Sequence, residues 1–137
     1  MSTAAPSVRR PRQLRLPIFE VLTVIGLAGI AWVHLLDLGG KMDETAYLGW
    51  AYIGLIAGCA VAAVMLLRRD HRGFVLAGAL AGATFVGYCL SRTTGLPAAT
   101  DDIGNWTETL GLWSLVAEAA VVALSATALV RRRTLPA

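Results

Sequence analysis

Glu118 is the residue whose type and setting most demand an explanation, a carboxyl group inside the long apolar run Thr109–Val130. Ionised and unpaired there, it would cost several kcal/mol. It is either protonated and hydrogen-bonded to a neighbouring helix, or in contact with a proton, a cation or a ligand. At helical spacing it shares a stripe with Glu108, Gly111, Ser114 and Ser125. Thr23, Ile30, His34, Asp37 and Lys41 form a second such stripe near the end of an earlier apolar run. His34 and Asp37, one turn apart, read as a metal ligand with an orienting carboxylate or as ordinary polar termination of a helix. Thr84, Tyr88 and Arg92 follow at four-residue intervals. Arg92 is the natural partner for a buried carboxylate unless its long chain snorkels to the surface, and Arg92 and Glu118 are expected to be coupled, directly or through water. Tyr47 opens another apolar run and, like Tyr88, suits interfacial packing as well as a pocket. His34, Asp37, Tyr47, Tyr88, Arg92, Glu108, Ser114 and Glu118 are thus the candidate ligand- or ion-binding set. No catalytic residue is assigned, because no nucleophile–base pair is visible, nor a P-loop, HExxH or GxSxG. Cys59 and Cys89 show no zinc spacing, so metal and cofactor both stay unassigned.

The elements that must position these residues are four apolar stretches, Ile18–Leu36, Ala46–Leu67, Gly73–Leu90 and Thr109–Val130. Each is about long enough to cross a bilayer core as a helix. Arg9, Arg10, Arg12, Arg15, Arg68, Arg69, Arg72, Arg131, Arg132 and Arg133 fall on one side of the alternation, leaving only Lys41 and Arg92 of the 12 basic residues on the other. The positive-inside rule then puts both termini and the Arg68–Arg72 turn in the cytoplasm. With 137 residues, 56% hydrophobic, and a mean hydropathy of +0.63, little is left for a soluble domain. The basic pI of 9.3 reflects arginines that flank spans, so it implies topology and inner-leaflet lipid rather than nucleic acid. Trp32, Trp50, Trp106 and Trp113 all fall in the outer half, as an aromatic belt does. The first apolar run is longer than a signal-peptide core and ends without a small-residue cleavage site. The expected organisation is a disordered basic leader over 1–16, a four-span bundle over 17–130 and a basic tail over 131–137, in a bacterial plasma membrane.

Small residues suggest how the spans meet. Gly54, Gly58 and Ala62 recur every fourth position, and Gly78 and Gly82 form GxxxG. Such rows let backbones approach closely in lipid, within the chain or against a second copy or a larger membrane complex. The five residues Arg68–Arg72 predict a tight antiparallel hairpin of spans two and three, and the simplest fold is an all-α up-down-up-down bundle. Asn105-x-x-Glu108 reads as a capping box for the fourth helix. Asp101 and Asp102 read as solvated loop acids, and Asp43 and Glu44 suit the positive end of the second helix.

Ser91-Arg92-Thr93-Thr94-Gly95-Leu96-Pro97, followed by Trp106-Thr107-Glu108, Gly111 and Glu118, resembles a pattern in a widespread group of small four-helix integral membrane proteins of actinobacteria. Those carry Ser-Arg-Thr-x-Gly-Leu-Pro after the third span, a histidine near the end of the first, and an acidic-aromatic start to the second, similar here to His34, Glu44 and Tyr47. The group has a second histidine beside that outer acid, where Asp43-Glu44-Thr45 has none, which counts against a metal site. The resemblance implies the fold and the place of the site, and no activity. Three functions remain in order: a binder of an ion or small ligand, accessory to transport or redox machinery; an interaction subunit; an intramembrane enzyme on a lipid or quinone.

Overall fold

A computed structural model describes residues 16–134. All of the expected leader except Leu16, and the tail beyond Thr134, lie outside the described residues. Four helices account for nearly everything between: α1 (Leu16–Glu44), α2 (Ala46–Leu67), α3 (Arg72–Thr93) and α4 (Thr109–Thr134). Each is long and apolar enough to cross a membrane. The 22 residues of α2 and of α3 rise roughly 33 Å at 1.5 Å per residue, close to the hydrocarbon thickness.

α2 begins and ends where its apolar run does, and α3 gains Arg72 and Ser91–Thr93 at its ends. α1 and α4 extend further. The expected end of the first span at Leu36 is only an apolar boundary; the helix continues through Gly39 and Gly40 to Glu44. An ion pair between Lys41 and Glu44 at 2.6 Å holds that last turn. Arg131–Thr134, expected as tail, complete α4, where cations suit the helix C-terminus.

The connections follow from local chemistry. Only Thr45, extended at φ −153°, separates α1 from α2. The reversal is close because Gly49 lacks a side chain, and a Cβ there would sit 2.6 Å from the Met42 sulfur. After α2, the Arg69 N–H reaches the Leu66 carbonyl and the Asp70 N–H that of Met65, both at 2.9 Å. This is a Schellman ending with Arg69 at φ +61° in the place glycine prefers. The Asp70 carboxylate then accepts the Arg72 N–H at 3.0 Å and starts α3. After α3, Gly95 takes φ +77°, and Pro97–Ala98 forms a turn closed by paired backbone bonds between Leu96 and Ala99. The Gly104 N–H returns to the Arg92 carbonyl at 2.9 Å, so the long connection folds back over the bundle end.

The helices form a ring in chain order. α1 packs on α2 and α4, and α3 on α4 and, least extensively, on α2. The α2–α3 hairpin turns as tightly as expected, with four residues between Leu67 and Arg72, although its two helices pack least extensively of the neighbouring pairs. The core alternates small residues, Cys59, Ala62, Ala77, Ala81 and Ala128, with the larger Leu27, Ile30, Leu55, Leu66, Phe74 and Val121. Trp32, Trp50, Trp106 and Trp113 are all exposed. An apolar, tryptophan-bearing exterior around a small-residue interior is what lipid-facing helices require. One end of the bundle carries Arg68, Arg69 and Arg72 with Arg131–Arg133, and the other carries Asp101, Asp102 and Glu108. They are called the arginine end and the acidic end below.

Candidate functional site

Inside the acidic half, residues from all four helices surround a cavity of about 360 Å³. Its floor is Glu118, 1% exposed, the tenth of the 26 residues of α4. Ser114, one turn earlier and also buried, donates its hydroxyl to Glu118 Oε1 at 2.6 Å. Glu118 Oε2 has no partner among the described residues. On α1, buried His34 bonds through Nδ1 to the Ile30 carbonyl at 2.8 Å. A carbonyl can only accept, so Nδ1 carries the proton and a neutral ring leaves Nε2 as an acceptor. The Tyr52 ring meets His34 edge-on, with centroids 4.6 Å apart, and its hydroxyl donates to Asp37 Oδ2 at 3.2 Å.

The roof is a charge network. Arg92, 5% exposed at the end of α3, donates to Asp102 at 2.7 Å and to Glu108. Lys41 of α1 donates to the same Asp102 carboxylate at 2.8 Å and to Glu44 at 2.6 Å. Burial alone would raise the Asp102 carboxyl, but the hydrogen bonds from Lys41 and Arg92 outweigh it and hold that group below the usual carboxylate range. The Arg92 guanidinium also lies over the Tyr88 ring, 4.8 Å from its centroid. Gly111 makes room for that ring, since a Cβ there would be 2.6 Å from Tyr88 Cε2. The Tyr88 hydroxyl is buried without a partner among the described residues.

Seven of the eight candidate residues line this cavity: His34, Asp37, Tyr88, Arg92, Glu108, Ser114 and Glu118. Tyr47 does not. It is exposed and spends its hydroxyl on the Pro97 carbonyl at 2.8 Å, pinning the α3–α4 connection to α2. Arg92 and Glu118 make no direct contact, because Arg92 is held beside Glu108, which precedes Glu118 by roughly 15 Å of helix rise. The capping box is also replaced. Asn105 lies in a turn, and Glu108 itself precedes α4, its carbonyl accepting the Leu112 N–H at 3.0 Å, which leaves its carboxylate for Arg92. Asp102, expected to be solvated, is the hub of the roof. Tyr52 was missed, although Leu48, Tyr52, Leu55 and Cys59 recur at the three- and four-residue spacing of a buried face.

The glycine rows are spent unequally. A Cβ on Gly58 would lie 2.9 Å from the Leu80 side chain, and one on Gly78 3.3 Å from Ser125 Cβ. Gly82 reaches Val122 at 4.0 Å, and only Gly54 of the four has nothing within 4 Å. Both cysteines are free. Among the described residues no group of three His, Cys, Asp or Glu side chains is arranged to hold a metal ion. What the arrangement offers is hydrogen bonding and charge inside an apolar shell, without a hydroxyl or thiol bonded to a histidine. The chain matches no family model, no curated protein and no solved structure with which it was compared.

Proposed function

We propose that this chain is a multi-pass protein of a bacterial plasma membrane, related to the four-helix group that Ser91–Pro97 resembles, which binds a small ligand or ion in a pocket of its outer half, floored by Glu118. One observation carries the reading: Glu118, buried and with one carboxyl oxygen unpartnered among the described residues, lines a cavity shaped by all four helices. A purely structural polar core satisfies its charged atoms. The arginines at the opposite end support an orientation with that end in the cytoplasm. The alternative, an interaction subunit packing its glycine rows on a partner, is weakened because Gly58 and Gly78 already meet Leu80 and Ser125.

Gly87 supplies the test. It lines the cavity, and a Cβ on it would meet nothing within 4 Å. Gly87→Leu fills the space without a clash at Cβ and improves helix propensity by about 0.8 kcal/mol. Native mass spectrometry of the protein released from lipid nanodiscs should show a bound mass in the wild type that Gly87→Leu lacks, with folding retained. Identical spectra, with Gly87→Leu only more stable, would make the cavity a packing defect.

A further inference from the structure

The cavity is closed above and open to one side. Its roof is the Lys41–Asp102–Arg92–Glu108 network, and Tyr47 fastens Pro97 down at 2.8 Å. Below, the seam between α2 and α3 is shut where Gly58 takes the Leu80 side chain and Gly73 takes Leu66. Between these closures Ala51 of α2 and Ala83 of α3 both line the cavity and are exposed on the bundle surface. Leu55 and Gly87 continue the two walls. The opening thus lies along the least extensive contact between neighbouring helices of the ring, at a depth where the surrounding medium is lipid, and it is lined by small or apolar side chains.

Charge selects what passes through it. Asp37, Asp102, Glu108 and Glu118 line the cavity, against the cations Lys41 and Arg92 alone. Both cations are already held by carboxylates at the roof. The Arg92 Nε–H is unpartnered, but it sits at the level of Glu108, roughly 15 Å of helix rise from Glu118. The groups placed beside Glu118 are Ser114 and Cys59, neither of them cationic, and Lys41 and Arg92 are the only lysine or arginine that line the cavity. A buried carboxylate without a counter-charge attracts an organic cation, and the Tyr52 ring in the cavity wall adds an aromatic group that favours one.

We propose that the cavity takes a lipophilic organic cation, an amine on an apolar body, which reaches Glu118 sideways from the bilayer between α2 and α3. This rests on the ligand-binding reading above and names its ligand class.

Octylamine, octanol and octanoate share one chain and differ in charge, so their binding to the protein in nanodiscs, corrected for empty nanodiscs, separates the cases. Octylamine should bind best, and Glu118→Gln should weaken it by about 30-fold or more while leaving octanol unchanged. Ala83→Phe, at a lipid-exposed position, should slow octylamine association by about tenfold. Octanol or octanoate binding as tightly as octylamine, yet still blocked by Gly87→Leu, would overturn the cation while keeping the ligand site. Unchanged association in Ala83→Phe would overturn the route. Binding of no probe, together with no bound mass in the native spectra, would overturn both readings. Should Glu118→Gln fail to fold, the ranking of the three probes on wild-type protein decides the matter.

Discussion

Removing charges from the roof gives a quantitative test of which carboxylates Arg92 serves. The guanidinium is 5% exposed, whereas its partners Asp102 and Glu108 are 22% and 36% exposed. Breaking a fully buried ion pair costs about 3–5 kcal/mol, and solvent contact of the acids moves this one to the low end, about 3 kcal/mol for Arg92→Gln. Asp102→Asn is milder, about 1–2 kcal/mol, because Arg92 keeps Glu108 and Lys41 keeps Glu44. In the double variant the orphaned charge is gone, so the loss should stay near about 3 kcal/mol, a coupling of about 1–2 kcal/mol. Unfolding by SDS titration in mixed micelles measures each corner of the cycle. The Arg92/Glu118 cycle is the control and should be additive within about 0.5 kcal/mol. An additive Arg92/Asp102 cycle, or a coupled Arg92/Glu118 cycle, would refute this account of the roof.

Further outcomes follow from single features. Gly111→Ala should destabilise by about 1–3 kcal/mol, since its Cβ would press on Tyr88 at 2.6 Å, whereas Gly54→Ala, facing open space, should gain about 0.5–1 kcal/mol; the same SDS titration reads both. Arg69→Gly should stabilise by about 0.5–1 kcal/mol by relieving φ +61° at the end of α2, and no gain there would mean that the arginine side chain supplies compensating contacts. The pH dependence of the roof has a definite sign. The folded Asp102 carboxyl lies below its ordinary value of 3.8, so its contribution is complete above that value and is lost as pH falls through the lower folded one. In a variant retaining only Trp106, which stacks edge-on with Tyr88, fluorescence should stay flat from neutral pH to about 5 and change only in stronger acid; a midpoint near neutrality would rule out Asp102 as the hub. Cysteine placed at Thr100 should label from outside the cell and cysteine at Arg69 from the cytoplasm, and the reverse pattern would invert the orientation.

The sequence showed where apolar helices run, because lipid imposes length and composition directly. It did not show where α1 ends. The stretch from Leu38 to Glu44 contains two glycines and several charges, and it is helical because Lys41 finds Glu44 and Asp102, the latter across 61 positions of chain. Asp102 was illegible for the same reason: nothing local distinguishes it from Asp101, and its role comes from two cations that other helices deliver. The floor was readable. Ser114 and Glu118 lie one turn apart on one helix, so their hydrogen bond needs no tertiary knowledge. Assigning Arg92 to Glu118 failed on depth, because polar stripes give angular position around a helix and say little about distance along it.

That difference in depth divides the polar interior into two parts with different physics. At the roof every carboxylate that meets Arg92 or Lys41 is shared or paired, and water reaches the acids, so the network can hold the α3–α4 connection in place without a ligand. At the floor the environment is drier and the pairing incomplete. Thr23 and Ser125 hydroxyls are also buried without partners, but a neutral hydroxyl in an apolar site costs far less than a carboxylate. Neither of them lines the cavity. Among the described residues, Glu118 alone combines a carboxyl group, near-complete burial, an unpartnered oxygen and a place in the cavity lining. A residue retained only for packing would be replaced at no loss by glutamine, which can still accept the Ser114 hydrogen bond. Glu118→Gln therefore separates a structural acid from a binding one: stability should change little, and the loss should appear in ligand affinity.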